Sequence, residues 1–142
     1  HAFPQDVLDH PSTPKTQAGK SRRRGRGYFK HQCSIWARES KENFMWLVDH
    51  TLRMFDERMY RWPESSEHFT KTFIQWCKKN IHNTIITETS LTPFAIAINQ
   101  DCLCRKLPEF ESNSTVSQYR LYYIHDKQFA TWTTRNTPSW FF

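Results

Sequence analysis

The sequence predicts a mainly α-helical chain, a single compact helical domain carrying a basic N-terminal arm. Three observations predict it. Phe44, Leu47, Val48, Leu52, Phe55 and Met59 recur at steps that place them on one helical face. Aromatic residues make up 15% of a chain that is only 37% hydrophobic, enough large apolar surface to offset the entropy of ordering. Residues 1–27, by contrast, combine Pro4, Pro11 and Pro14 with Gly25, Gly27 and a block of cations, which breaks any periodicity. A chain of 142 residues has the length of one domain. The expected division is an arm over 1–27 and a helical domain over 28–142.

Within the arm only Phe3, Val7 and Leu8 are suited to docking. The long helix is expected to be capped by Ser34 or Ser40 and to end near Arg61, before Pro63. Its polar face carries Lys41, Glu42, Asp49, Arg53, Asp56 and Glu57. A second helix, capped by Ser65 or Ser66, runs to about Lys79 with Phe69, Phe73, Trp76 and Cys77 inward; Lys78 and Lys79 suit its C-terminal dipole. Ile85-Ile86 reads as a short extended piece, residues 92–97 as a turn entering a helical turn, and residues 101–113 as loop. A third helix starts after Asn113 or Ser114 with Val116, Tyr119, Tyr123 and Ile124 inward. The tail, with Trp132, Trp140, Phe141 and Phe142, is expected to pack back onto the helices.

Charge is unevenly placed. Lys15, Lys20, Arg22, Arg23, Arg24, Arg26 and Lys30 give residues 15–30 a charge of +7, and the rest of the chain sums to −1. Such a block repels itself and seeks an anionic partner, most commonly a polyphosphate backbone. The longest apolar run, Phe94 to Ile98, is far short of the roughly 20 residues that cross a bilayer. No membrane partner is therefore expected. The four cysteines, with Cys33 and Cys77 among apolar neighbours, read as free thiols of a reduced, intracellular protein.

No phosphate loop, nucleophile elbow or His-Glu-x-x-His motif is present. Cys102-x-Cys104 is too tightly spaced for zinc and has no second ligand pair. Neither a metal nor a cofactor is expected. The richest polar cluster is His31, Trp36, Arg38, Glu39, Asn43 and Trp46. There Arg38 suits a phosphate, Trp36 a base, and Glu39 general-base chemistry. The bland alternative makes the tryptophans core and Arg38-Glu39 a surface pair. Arg58, Tyr60, Arg61 and Trp62 follow at the end of the long helix, where cations favour the dipole. A third group, Tyr119, Arg120, Tyr122, Tyr123, Lys127, Trp132 and Arg135, interleaves aromatics with cations. That pattern suits nucleic-acid stacking and core-edge tyrosines equally.

The run His31-Gln32-Cys33-Ser34-Ile35-Trp36-Ala37-Arg38-Glu39-Ser40, with Asn43 and Trp46-Leu47, resembles a segment of a small protein family of tailed bacteriophages. The family reads His-Pro-Cys-x-x-Trp-x-Arg-x-Ser at that point. Tyr60-Arg61, Leu91-Thr92-Pro93-Phe94, Tyr119-Arg120-x-Tyr122-Tyr123-Ile124, Lys127, Phe129-Ala130-x-Trp132, Arg135 and Pro138-x-Trp140-Phe141 extend the resemblance over residues 28–142. His31-Gln32 departs from the family's His-Pro, and the family's opening Asp-x-His helical segment has no counterpart. The chain thus resembles the C-terminal portion of such a protein; if the family's chemistry needs the missing segment, the resemblance implies either that this chain is inactive alone or that a second chain supplies the segment. It also implies a phage-encoded protein in the host cytoplasm. The layout is faintly similar to that of the pyrimidine-dimer DNA glycosylases, compact helical enzymes that flip a base.

The function expected is nucleic-acid binding, with DNA as partner, in a phage-type protein acting in DNA processing or base excision. In that reading Arg22, Arg23, Arg24 and Arg26 neutralise phosphates. Arg38, Arg120, Lys127 and Arg135 line a groove, and His31, Asn43, Arg61 and Tyr119 are further nucleic-acid-binding candidates. Trp36, Tyr122 or Trp132 stacks on a base, and Glu39 is the catalytic candidate. The alternative is a non-enzymatic interaction or assembly subunit whose basic arm engages nucleic acid or an acidic partner.

Overall fold

The computed structural model describes residues 2–24 and 27–141. Among them are five α-helices, three short 3-10 turns and no strand, so the mainly α class holds. The chain divides into two compact units, His1–Thr92 and Pro93–Phe142.

In the first unit, α1 (Gln5–Asp9) is followed by α2 (Gln32–Glu39), α3 (Lys41–Arg61) and α4 (Lys71–Lys79). With Ser40 as its cap the expected long helix is α3, ending at Arg61 as expected; the alternative start after Ser34 fails, because residues 32–39 form the separate helix α2. His31 Nδ1 accepts from the Cys33 N–H and caps α2. Ser40 then takes an extended conformation, which ends α2, and its Oγ accepts from the Asn43 N–H to cap α3. One serine thus makes the break and starts the next helix. Arg58 and Arg61 occupy the last turn of α3, where cations favour the dipole. The second expected helix starts later than Ser65 or Ser66, at Lys71. Ser65 Oγ instead donates to the Trp62 carbonyl and accepts from Arg58, holding the loop after α3.

The core of this unit joins Val48 of α3 and Cys77 of α4 to Ile86 and to Ala2, Phe3 and Leu8. Phe3 stands edge-on to Phe44 at 5.7 Å and lies 5.0 Å from the Trp76 ring. The N-terminal segment is therefore anchored to the helices through Ala2, Phe3, Val7 and Leu8, as the docking expectation for the last three has it. The physical reason is area. Burying a side chain such as Phe3 or Leu8 contributes about 1.5–3 kcal/mol, which outweighs the preference of the prolines for irregular backbone. Ile85 is not part of a strand, yet its N–H donates to the Ala2 carbonyl at 2.9 Å and fixes the N-terminal segment. Of the long apolar stripe, Phe44, Val48 and Leu52 face this core, whereas Leu47 is exposed.

In the second unit α5 (Thr115–Asp126) packs on a core of Ile98, Cys104 and Phe110. Ser114 Oγ accepts from the Ser117 N–H, so the expected start of this helix is correct. Of the expected inward face, Tyr119 is correct. Gln118, Tyr119, Leu121 and Tyr122 face in, while Val116 and Tyr123 are exposed. Gln118 takes a core position with its Nε2 donating to the carbonyls of Phe110 and Asn113. Residues 94–98 form no helical turn. They run irregularly, and the Tyr119 hydroxyl donates to the Ala95 carbonyl and accepts from the Ala97 N–H. The expected loop at 101–113 contains a 3-10 turn, Leu103–Lys106, whose first amides donate to both oxygens of Asp126. As expected, the tail returns to its helix: Trp140 packs edge-on against Tyr123.

Candidate nucleic-acid interface

The cation block is divided by burial. Gly19, at φ 72°, turns the chain so that residues 20–24 run back along α1. Gln5 pins that segment: its Nε2 donates to the Arg22 carbonyl and its Oε1 accepts from the Arg24 N–H. Arg22 points inward. It donates to the carbonyls of Pro14 and Lys15, and its guanidinium lies 3.7 Å over the Phe73 ring. Burial pushes the Arg22 pKa below its ordinary value, and the nearby Cys77 thiol opposes that shift. Burial pushes Cys77 itself up to about 12, so it stays a thiol. Arg22 is therefore engaged by the fold, unlike its two neighbours. Arg23 and Arg24 are exposed, as is Lys20. With Gln5, Asp9 and Ser21 these three line a cleft of about 540 Å³. Arg26, the fourth arginine of the expected phosphate contacts, lies outside the described residues, as do Gly25 and Phe142.

The polar cluster around α2 and α3 is a structural network. Asn43 is 0% exposed. Its Nδ2 donates to the Trp36 carbonyl at 2.8 Å and to Thr92 Oγ1 at 2.7 Å, and its Oδ1 accepts from the Thr92 N–H at 2.9 Å. Trp36 is 5% exposed and donates from Nε1 to the Thr92 carbonyl. Neither Asn43 nor Trp36 offers a surface to a nucleic acid, because every hydrogen-bonding group of the amide is used and the indole is covered. Glu39 is exposed, and its Oε2 accepts from Thr92 Oγ1 at 3.2 Å. Arg38 donates to the Phe29 carbonyl and lies 4.1 Å over the Phe29 ring. His31 spends Nδ1 on the α2 cap while its ring meets Tyr28 edge-on. Trp46 stands edge-on to Trp36 and stacks on His50. At the far end of α3, Arg61 pairs with Glu57 at 2.8 Å.

The remaining candidates belong to the second unit. Tyr119 is tied up by its two backbone partners. Arg120 lies 5.7 Å from the Trp140 ring, and Trp132 packs at 4.5 Å against Phe141. Lys127 Nζ sits 5.2 Å from the Tyr122 ring and 5.2 Å from the Phe129 ring. Arg135 is exposed. Arg38 and Glu39 thus belong to one unit and Tyr119 to the other.

Sequence reasoning passed over three residues. Gln5 was invisible because its role lies in a contact with a segment 17 residues away. Tyr28, 81% exposed, and Phe129, 75% exposed, were given no role of their own. Their flanking glycines, lysines and alanine were the available clue that they sit on turns. Among the described residues no group of His, Cys, Asp and Glu could hold a metal ion. Among the described residues no helix is long and apolar enough to cross a membrane. Neither a protein-family model, nor a curated protein, nor a solved structure matches the chain.

Proposed function

We propose that this chain is a nucleic-acid-binding protein of phage type that engages DNA through phosphate contacts. The observation that carries the reading is the exposed set Lys20, Arg23 and Arg24, pinned along α1 by Gln5 around a single cleft. Cations held in place by a folded segment lose less entropy on binding than cations on a free chain, so the ordering of residues 20–24 favours affinity. Phosphate contacts bind all sequences alike and carry no base information.

The extension to base excision draws no support from the geometry. Glu39 uses Oε2 on Thr92, and its neighbour Asn43 is closed to ligands. The test is a titration with duplex DNA at several salt concentrations. Each lost phosphate contact lowers the slope of log affinity against log salt by about 0.9. Changing Lys20, Arg23 and Arg24 together to Ser should therefore flatten it by nearly three. Absence of binding by the unaltered chain at low salt would refute the reading. A second reading, an interaction subunit, is favoured by exposed Met54 and Trp62 beside an apolar cavity of about 370 Å³ at the end of α3. It predicts partner binding that salt scarcely alters.

A further inference from the structure

The reading above assigns the phosphate backbone to the first unit and leaves the second without a role. Three features of the second unit coincide just after α5. Phe129 keeps 75% of its surface in water, forgoing most of the free energy that a buried phenyl ring gives. It is held on a tight turn, since the Ala130 N–H donates to the Lys127 carbonyl and the Lys127 N–H to the Tyr123 carbonyl. The Lys127 ammonium lies 5.2 Å from the Phe129 ring and 5.2 Å from the Tyr122 ring. That distance is within cation–π range, so the lysine has a defined position instead of sweeping through solvent. The Tyr122 hydroxyl draws the Lys127 pKa upward, which keeps the ammonium charged.

A single exposed phenyl ring is ordinary on a protein surface. A ring fixed on a turn, with a cation positioned against it and a second ring near that cation, has the two parts that an unpaired nucleotide needs. The ring offers a π-face to the base, and the ammonium offers charge to the neighbouring phosphate. A duplex presents no free base face at this position, because its bases are stacked on each other. The charge also selects against an acid-free apolar partner, for which a lysine at the centre would carry a desolvation cost.

We propose that Phe129, Lys127 and Tyr122 form a stacking platform for an unpaired nucleobase of single-stranded DNA. The proposal deepens the nucleic-acid reading and rests on it. Binding of a fluorescent oligothymidylate and of a duplex of mixed sequence is compared by anisotropy for the full chain and its variants. Phe129→Ala should weaken oligothymidylate binding about 5- to 150-fold, the range for losing one base–aromatic stack. Duplex affinity should stay unchanged. Phe129→Trp should restore the loss, and Phe129→Leu, which keeps apolar bulk without a π-face, should not. Phe129 is exposed, so its variants should melt with the unaltered chain, and far-ultraviolet circular dichroism checks this. If Phe129→Ala binds oligothymidylate as tightly as the unaltered chain, or if Leu rescues as well as Trp, the platform is wrong while the nucleic-acid reading stands. If the unaltered chain binds neither oligonucleotide, both fall.

Discussion

Asn43 gives the sharpest test of the first unit's architecture. Its side chain spans α2, α3 and Thr92 with three hydrogen bonds at full burial. Asn43→Ala leaves the Trp36 carbonyl and the Thr92 N–H without their side-chain partner. A buried polar group stripped of its partner costs about 1–3 kcal/mol. The Thr92 hydroxyl loses less, because it still donates to Glu39. With the void left by the amide, the total is about 3–6 kcal/mol, a large part of the 5–15 kcal/mol that holds a domain folded. At about 4 °C or more per kcal/mol for a domain of this size, Tm should fall by at least about 12 °C. Asn43→Asp separates volume from hydrogen bonding. It is nearly isosteric and retains the acceptor for the Thr92 N–H, but it turns the donor facing the Trp36 carbonyl into a second acceptor and buries a charge. It should be no better than Ala. Thr92→Val, which removes only the hydroxyl, should cost about 1 kcal/mol. Urea and thermal unfolding followed by tryptophan fluorescence read all three, and Trp36 reports on the network directly through its bond to Thr92. A loss below about 1 kcal/mol for Asn43→Ala would refute the assignment of this cluster to structure.

The two arginine classes should separate. Arg22→Ser removes a cation from the face of Phe73 and two carbonyl contacts, and should cost about 2–3 kcal/mol in urea unfolding. Arg23→Ser with Arg24→Ser should leave unfolding unchanged within about 0.5 kcal/mol and weaken only DNA binding; the reverse pattern would mean that inward and outward arginines are exchanged. Asp126 sets a pH dependence: burial would raise its pKa, but the amides of Cys104 and Leu103 outweigh it and hold the carboxyl below the ordinary range. Its contribution is therefore complete above the unfolded value, about 4, and is lost as pH falls through the lower folded value, so Asp126→Asn should flatten the acid limb of the stability curve. An unaltered acid limb in that variant would rule out Asp126 as the cap of the Leu103–Lys106 turn.

Much of the helical content was legible because it rests on local rules. The stripe on α3, the Ser40 cap and the Ser114 cap depend on residues within four positions of each other. What was not legible depends on distant contacts. The break between α2 and α3 needs no proline or glycine; it needs Ser40 in extended geometry, and the Lys41 N–H donates to the Glu88 carbonyl far along the chain. The inward face of α5 was read correctly at Tyr119 and misread at Val116 and Tyr123, because periodicity weighs apolar residues while one core position is filled by Gln118, which donates to two carbonyls. The docking of Phe3 and Leu8 was foreseen for those residues but not for the segment that follows them, since Gln5 and Arg22 act through polar contacts that composition does not reveal.

The same limit governs the candidate site. A run such as Arg22-Arg23-Arg24 looks uniform in sequence, and its charge suggests one function for all three. The structure assigns the first to Phe73 and the carbonyls of Pro14 and Lys15, and leaves the next two in solvent. The polar cluster at 36–43 shows the converse. Residue types suited to base and phosphate recognition turn out to be satisfied inside the fold, because a tryptophan N–H and an asparagine amide close backbone groups as well as they read a ligand. Chemistry-bearing residue types therefore indicate function only after the fold's own hydrogen-bond requirements have been met. Two groups that meet that criterion are Lys20, Arg23 and Arg24 in one unit and Phe129 with Lys127 in the other. The first group is charge without a stacking surface, and the second is a stacking surface with one charge. A protein that binds phosphates through one unit and a base through the other should lose its salt dependence and its preference for single strands through different substitutions.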